Sequence, residues 1–126
     1  MNAPISEVDI DTRVNGNGST ITANKAVYIN SSGEFDLAKA DGGTTAPAYG
    51  FTTASVASGA SGSLQTDGLL TGFSGLTAGS KYYVDASTAG AITATAPTTA
   101  GQYVCGVGRA VSSTELQIDI SDPILL

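Results

Sequence analysis

Turn-forming residues break this chain about every ten residues, and no segment between them keeps a helical period of apolar residues. Gly, Asn, Asp and Ser cluster at 15–19 (NGNGS), at Ser31-Ser32-Gly33, at 41–45 (DGGTT), at 58–62 (SGASG) and at Asp67-Gly68. They do so again at 74–80, 85–90 and 112–114. Between these points apolar and polar residues alternate, the period of a strand with one buried face. Leu116, Ile118 and Ile120, alternating with Gln117 and Asp119, are the clearest case. No stretch sustains apolar residues at helical spacing. Short strands with turns every ten residues or so predict an all-β domain, a compact β-sandwich or barrel of short antiparallel strands with an extended N-terminal arm.

Composition points the same way. Charged residues are 13% of the chain, against roughly 25% in ordinary soluble proteins. Gly, Ser, Thr and Ala fill the difference, and such residues suit close strands and tight turns better than surface helices. At 126 residues the chain has room for one core. Residues 1–19 read as an extended arm and a flexible Gly/Asn linker, and residues 20–126 as a single β domain.

The stretch 62–84 is the expected centre of that domain. Apolar runs at 64–66, 69–73 and 82–84 read as strand, tight Asp67-Gly68 turn, strand, glycine-rich turn, strand. Residues 26–38 read as a hairpin around Ser31-Ser32-Gly33, and residues 48–54 as a strand with Tyr49 and Phe51 on one face. An internal echo runs through the chain. Thr44-Thr45-Ala46 leads to Leu64-Gln65-Thr66-Asp67, and Thr98-Thr99-Ala100 leads to Leu116-Gln117-Ile118-Asp119. Two similar hairpin units in a pseudo-symmetric core would produce it, and so would chance in a Ser/Thr/Ala-rich sequence.

In the arm, Ile5, Val8 and Ile10 are apolar, with Glu7, Asp9 and Asp11 among them. Such a strand can pair at an edge of its own domain or with a neighbouring molecule, and the glycine-rich linker favours the second.

Chemistry is hard to place. The chain has no His, which removes the commonest general base and metal ligand together. No Ser-x-x-Lys occurs, and zinc would have to use carboxylates alone. A calcium loop started at Asp11 puts Arg13 and Thr22 where acids or amides belong. The expectation is a protein that is not an enzyme and has no cofactor or metal. Five basic residues against eleven acidic ones give a net charge of −6, and the basic ones are scattered singly. That excludes nucleic acid as a partner and makes an anionic membrane surface repulsive. The lone Cys105 sits in an apolar run and reads as a buried free thiol. No signal peptide and no membrane span is legible, so the expectation is a soluble protein made in a cytoplasm. The five tyrosines read as core packing ahead of a sugar-binding platform.

Residues 75–126 carry Gly75-Leu76-Thr77-Ala78-Gly79-Ser80-Lys81-Tyr82-Tyr83, a Gly/Thr/Pro loop, Gly101-Gln102-Tyr103-Val104 and Val107-Gly108-Arg109-Ala110, then a last strand with an apolar tail. In this order they resemble a β module of tailed-bacteriophage head and tail-fibre proteins. Ala26-Val27-Tyr28-Ile29 and Ala46-Pro47-Ala48-Tyr49-Gly50-Phe51 extend the likeness, which covers about residue 20 onward. The chain has no fibre shaft, so it is most similar to the capsid decoration, or head-stabilising, proteins of such phages. The resemblance implies a virion protein on the outer capsid surface with the major capsid protein as partner, commonly as a homotrimer. It implies no catalytic residues. Ile5, Val8 and Ile10 are the expected capsid-binding arm, and Ile124, Leu125 and Leu126 the expected oligomer contact. The alternative is a receptor- or glycan-binding tip of a phage head or tail fibre, reading its target through Tyr82, Tyr83 or Tyr103.

Overall fold

The computed structural model describes residues 9–126. Among them there is no helix, and the chain forms a curled antiparallel sheet, half a barrel, with a two-stranded clip beside it. The all-β class follows from the turn spacing. In chain order the strands are β1 (Asp9–Val14), β2 (Ala26–Ile29), β3 (Phe35–Leu37), β4 (Gly50–Thr52), β5 (Ser61–Leu70) and β6 (Lys81–Val84). After them come β7 (Ile92–Thr93), β8 (Tyr103–Val104), β9 (Gly106–Ala110), β10 (Leu116–Ile118) and β11 (Ile124–Leu125).

The sheet order is β3-β2-β4-β5-β10-β9-β6-β7, with β1 added alongside β5 and β11 paired to β8 in the clip. That order is a palindrome. From each edge inward come a hairpin (β3–β2 or β7–β6), then β4 or β9, then β5 or β10, which meet in the middle. The register repeats as well. Phe51 faces Gln65 and Thr52 faces Leu64 in one half; Arg109 faces Gln117 and Ala110 faces Leu116 in the other. Asn30 and Asp85 sit at matching turns, each accepting a backbone N–H two residues on: Ser32 at 2.9 Å and Ser87 at 2.7 Å. Gly50 and Gly108 match too. A Cβ at either would lie 2.7 or 2.2 Å from the carbonyl oxygen of Gln65 or Gln117, so neither site admits a side chain. The echo in the sequence is therefore a repeated chain path.

The Asp67-Gly68 hairpin does not form. β5 runs ten residues straight through it. A hairpin needs its two arms to pair with each other, and here each arm has another partner. Residues 61–67 lie along β1, and residues 68–70 lie along β10. Gly68, at φ 88°, bends the strand where it changes partners. Gln65, nearly buried, braces the bend by donating from Nε2 to the carbonyls of Asp67 (3.0 Å) and Leu69 (3.1 Å).

Two apolar clusters fill the curl. The larger contains Phe51, Leu70, Val84, Val107, Leu116 and Ile118 and draws on both halves. The smaller, of Ile21, Val27, Phe35, Val56 and Leu64, lies under the first half. Each such side chain stabilises the fold by about 1.5–3 kcal/mol on burial. Tyr49 and Phe51 divide between the clusters, because β4 begins only at Gly50 and Tyr49 lies outside its pleat.

β1 takes the own-domain option. It pairs antiparallel with β5 from Ile10↔Gln65 to Val14↔Ser61. The Gly/Asn segment after it forms a turn hydrogen-bonded to the domain. Asn15 is buried, its Nδ2 donating to the carbonyls of Val56 (2.9 Å) and Ser19 (3.1 Å). Asn17 donates to Asp36 Oδ1 at 2.7 Å. The domain's sheet thus includes residues assigned from sequence to the arm. Ile5 and Val8 lie outside the described residues.

Candidate interaction surfaces

Among the described residues no group of three His, Cys, Asp or Glu side chains could hold a metal ion. Cys105 is buried, donates from Sγ to the carbonyl of Ser121 at 3.3 Å, and has its thiol pKa raised by burial. A thiol so placed is a core residue, poorly suited to nucleophilic work. Of the three tyrosines considered for ligand reading, Tyr82 is buried and its hydroxyl accepts the N–H of Thr77 at 2.9 Å. Tyr83 is half-buried beneath Lys81, and Tyr103 is half-buried in β8.

What the surface does carry is exposed apolar side chains in particular places. Large ones number five among the described residues: Ile10, Val111, Ile124, Leu125 and Leu126. Four of these lie on or beside the first and last strands. In β1 the amphipathic pattern is turned inside out. Ile10 points to solvent at 52% exposure, while Asp11 and Arg13 face the domain. Asp11 accepts the hydroxyl of Tyr49 at 2.6 Å and Nε–H of Arg13 at 2.8 Å, and Arg13 Nη1 reaches the carbonyl of Gly33 at 3.2 Å. The Arg13 guanidinium also lies over the Tyr49 ring, 5.8 Å from its centroid. The Tyr49 hydroxyl, followed by Arg13, holds the Asp11 carboxyl below the usual aspartate range, and Asp11 in turn pushes the Tyr49 phenol up. Nothing in the sequence around Asp11 sets it apart from the other acids of the arm. Its partner is 38 residues away, and no local pattern announces it.

β11 is held by its backbone. Ile124 pairs with Val104 and Leu125 with Tyr103, and the Leu126 N–H donates to the carbonyl of Gln102 at 2.9 Å. Successive strand residues point to opposite faces, so a strand laid on a core buries one of two neighbours. Here Ile124 is 65% exposed and Leu125 61%, so neither face of β11 is covered. Leu126 is 42% exposed. Covering all three would contribute about 3–5 kcal/mol.

The structure therefore leaves Ile10, Ile124, Leu125 and Leu126 outward on or beside backbone-anchored strands. No protein-family model matches the chain, and no curated protein is significantly similar to it.

Proposed function

We propose that the protein is a structural component of a tailed-phage virion. In this reading it decorates the outer capsid surface, stabilises the mature head, and has no catalytic activity. Its partner is the major capsid protein, and it acts as a homotrimer. One observation supports the reading beyond the resemblance of residues 75–126: among the described residues, four of the five large exposed apolar side chains stand on or beside the first and last strands, with their backbones already paired. A module so built offers several modest apolar contacts on a prefolded frame. Multiplied over an oligomer on a lattice, modest contacts add up to firm attachment without any single deep pocket. An acidic chain also suits an exterior position, away from packaged nucleic acid.

The test is co-sedimentation with undecorated heads. The protein is expected to pellet with expanded capsids and to stay in the supernatant with unexpanded shells. Removing residues 1–8, which leaves β1 in place, and replacing Ile10 by Ser should each weaken pelleting. Absence of pelleting with expanded heads overturns the reading, and binding unchanged by both alterations overturns the role of the arm.

A further inference from the structure

The two halves of the sheet differ sharply at one matching rung. In the first half it runs Ala26, Phe51, Gln65 across β2, β4 and β5, and all three are buried. In the second half the same rung runs Lys81, Arg109, Gln117 across β6, β9 and β10. There Lys81 and Arg109 are exposed. These residues line a surface notch of about 320 Å³ together with Gly108, Val111 and Asp119. Val111 is the fifth of the exposed large apolar residues, at 52%.

Two of the chain's five cations thus stand directly opposite each other on neighbouring strands. Like charges so placed destabilise a sheet. Arg13 and Lys39 are paired with Asp11 and Asp41, but among the described residues neither Lys81 nor Arg109 is in an ion pair. Both are held without being neutralised. Lys81 Nζ lies 5.7 Å from the Tyr83 ring centroid, and Arg109 Nη1 donates to the carbonyl of Gly79 at 2.6 Å. Asp119 on the wall leaves the notch with one net positive charge, on a chain whose net charge is −6. The first half buries the same rung as Ala and Phe, whereas the second half turns it to solvent and sets two cations side by side there.

We infer that this notch is a docking site for an acidic protein segment, one that sets carboxylates against Lys81 and Arg109 and an apolar side chain against Val111. Charge complementarity selects the occupant. An incoming carboxylate relieves the opposed cations, and Asp119 repels it from one side, which fixes its direction of approach. The inference concerns the isolated protein and does not depend on the virion reading.

Amide chemical shifts of the full chain, followed by NMR during titration with an oligoglutamate peptide ending in leucine, test it. An oligolysine peptide serves as control. Shifts are expected at Lys81, Gly108, Arg109, Gln117 and Asp119, weakening as salt is added. The K81Q/R109Q pair should lower the affinity by about tenfold or more, while D119N should raise it several-fold. Both variants alter exposed side chains, and an unchanged amide spectrum elsewhere verifies their folding. Opposite signs for the two variants are what a merely structural role would not produce. The inference is overturned if the shifts fall elsewhere, if neither variant changes the affinity, if oligolysine binds equally, or if the same amides shift on self-concentration alone. That last result would assign the notch to a second copy of the chain.

Discussion

Ile124→Ser with Leu125→Ser separates what β11 does for the fold from what it does for association. Both side chains are more than three-fifths exposed, so within one protomer they have little packing to lose. The backbone bonds that hold β11 to β8 survive the change. Unfolding of dilute protein should therefore move by no more than about 0.5 kcal/mol. Association is different. Fully burying an Ile or Leu contributes about 1.5–3 kcal/mol, and with roughly three-fifths of each side chain still uncovered, the pair has about 2–4 kcal/mol available. Losing that at each contact corresponds to a dissociation constant raised between about thirtyfold and a thousandfold. Sedimentation velocity over a wide dilution series reads the second quantity, and thermal or urea unfolding of dilute protein reads the first. The expected result is a wild-type chain that associates reversibly and a double variant that is monomeric over the same range with its unfolding midpoint unchanged. A wild type that stays monomeric throughout, or a variant that associates as well, refutes the reasoning. A large loss of dilute stability would show that these side chains serve the fold.

Three further outcomes follow from the sheet. Gly108→Ala places a Cβ against the Gln117 carbonyl in a central strand and should cost about 3 kcal/mol or more, whereas Gly18→Ala, with open space around it, should stay within about 0.5 kcal/mol; urea unfolding compares the two. Gln65→Leu removes the donor to the Asp67 and Leu69 carbonyls at the bend of β5 and should destabilise by about 1–3 kcal/mol in the same assay. The Asp11 carboxyl is depressed in the folded state, so its contribution is present above its unfolded value and is lost as pH falls through the folded one, below about pH 4. Tyr49 is raised, so its contribution is full below its unfolded value near pH 10 and is lost as pH rises through the higher folded one. The Asp11 carboxyl resonance should accordingly titrate low in the wild type and move up toward the ordinary range in Tyr49→Phe; an unmoved midpoint would remove the Tyr49 hydroxyl as the main cause.

Much of the architecture was readable because it is local. The hairpin of β2 and β3 around Ser31-Ser32-Gly33, the turn at 112–114 and the alternation in β10 each follow from a few adjacent residues. What escaped was decided at a distance. Asp67-Gly68 has hairpin chemistry, yet whether it reverses the chain depends on what the flanking residues pair with, and β1 and β10 lie far off in sequence. β1 misled in another way. Its alternation correctly gives a two-faced strand, but burial of its polar face depends on Tyr49, which no period reveals. Residues 15–19 have a linker's composition and a turn's hydrogen bonds, because Asn15 reaches acceptors on two loops. For the outward residues the sequence pointed to Ile10, Ile124, Leu125 and Leu126 and missed the Lys81–Arg109 rung. Cations spread along a chain look solitary until the sheet brings two of them face to face.

The repeat offers a way to weigh the surfaces against one another. Two copies of one chain path need the same things from their residues, so where they agree, as at Gly50 and Gly108 or Asn30 and Asp85, folding is sufficient explanation. Where they disagree, something other than the shared path is at work. β5 runs ten residues and β10 only three, and β1 lies along residues 61–67 of β5. Without β1, that stretch would present an open strand edge on the side where β1 now lies, a hazard that sheet proteins manage explicitly. β1 therefore has a folding reason to exist, and only its outward Ile10 calls for another. β11 has a weaker folding reason, since it covers two residues of β8 and buries neither of its own side chains. The Lys81–Arg109 rung has none, because opposed cations oppose the fold. Ranked by how little the fold needs them, the cation rung comes first, the outward side chains of β11 second and Ile10 third. On the readings proposed above, contact with a partner accounts for each more economically the higher it stands in that order.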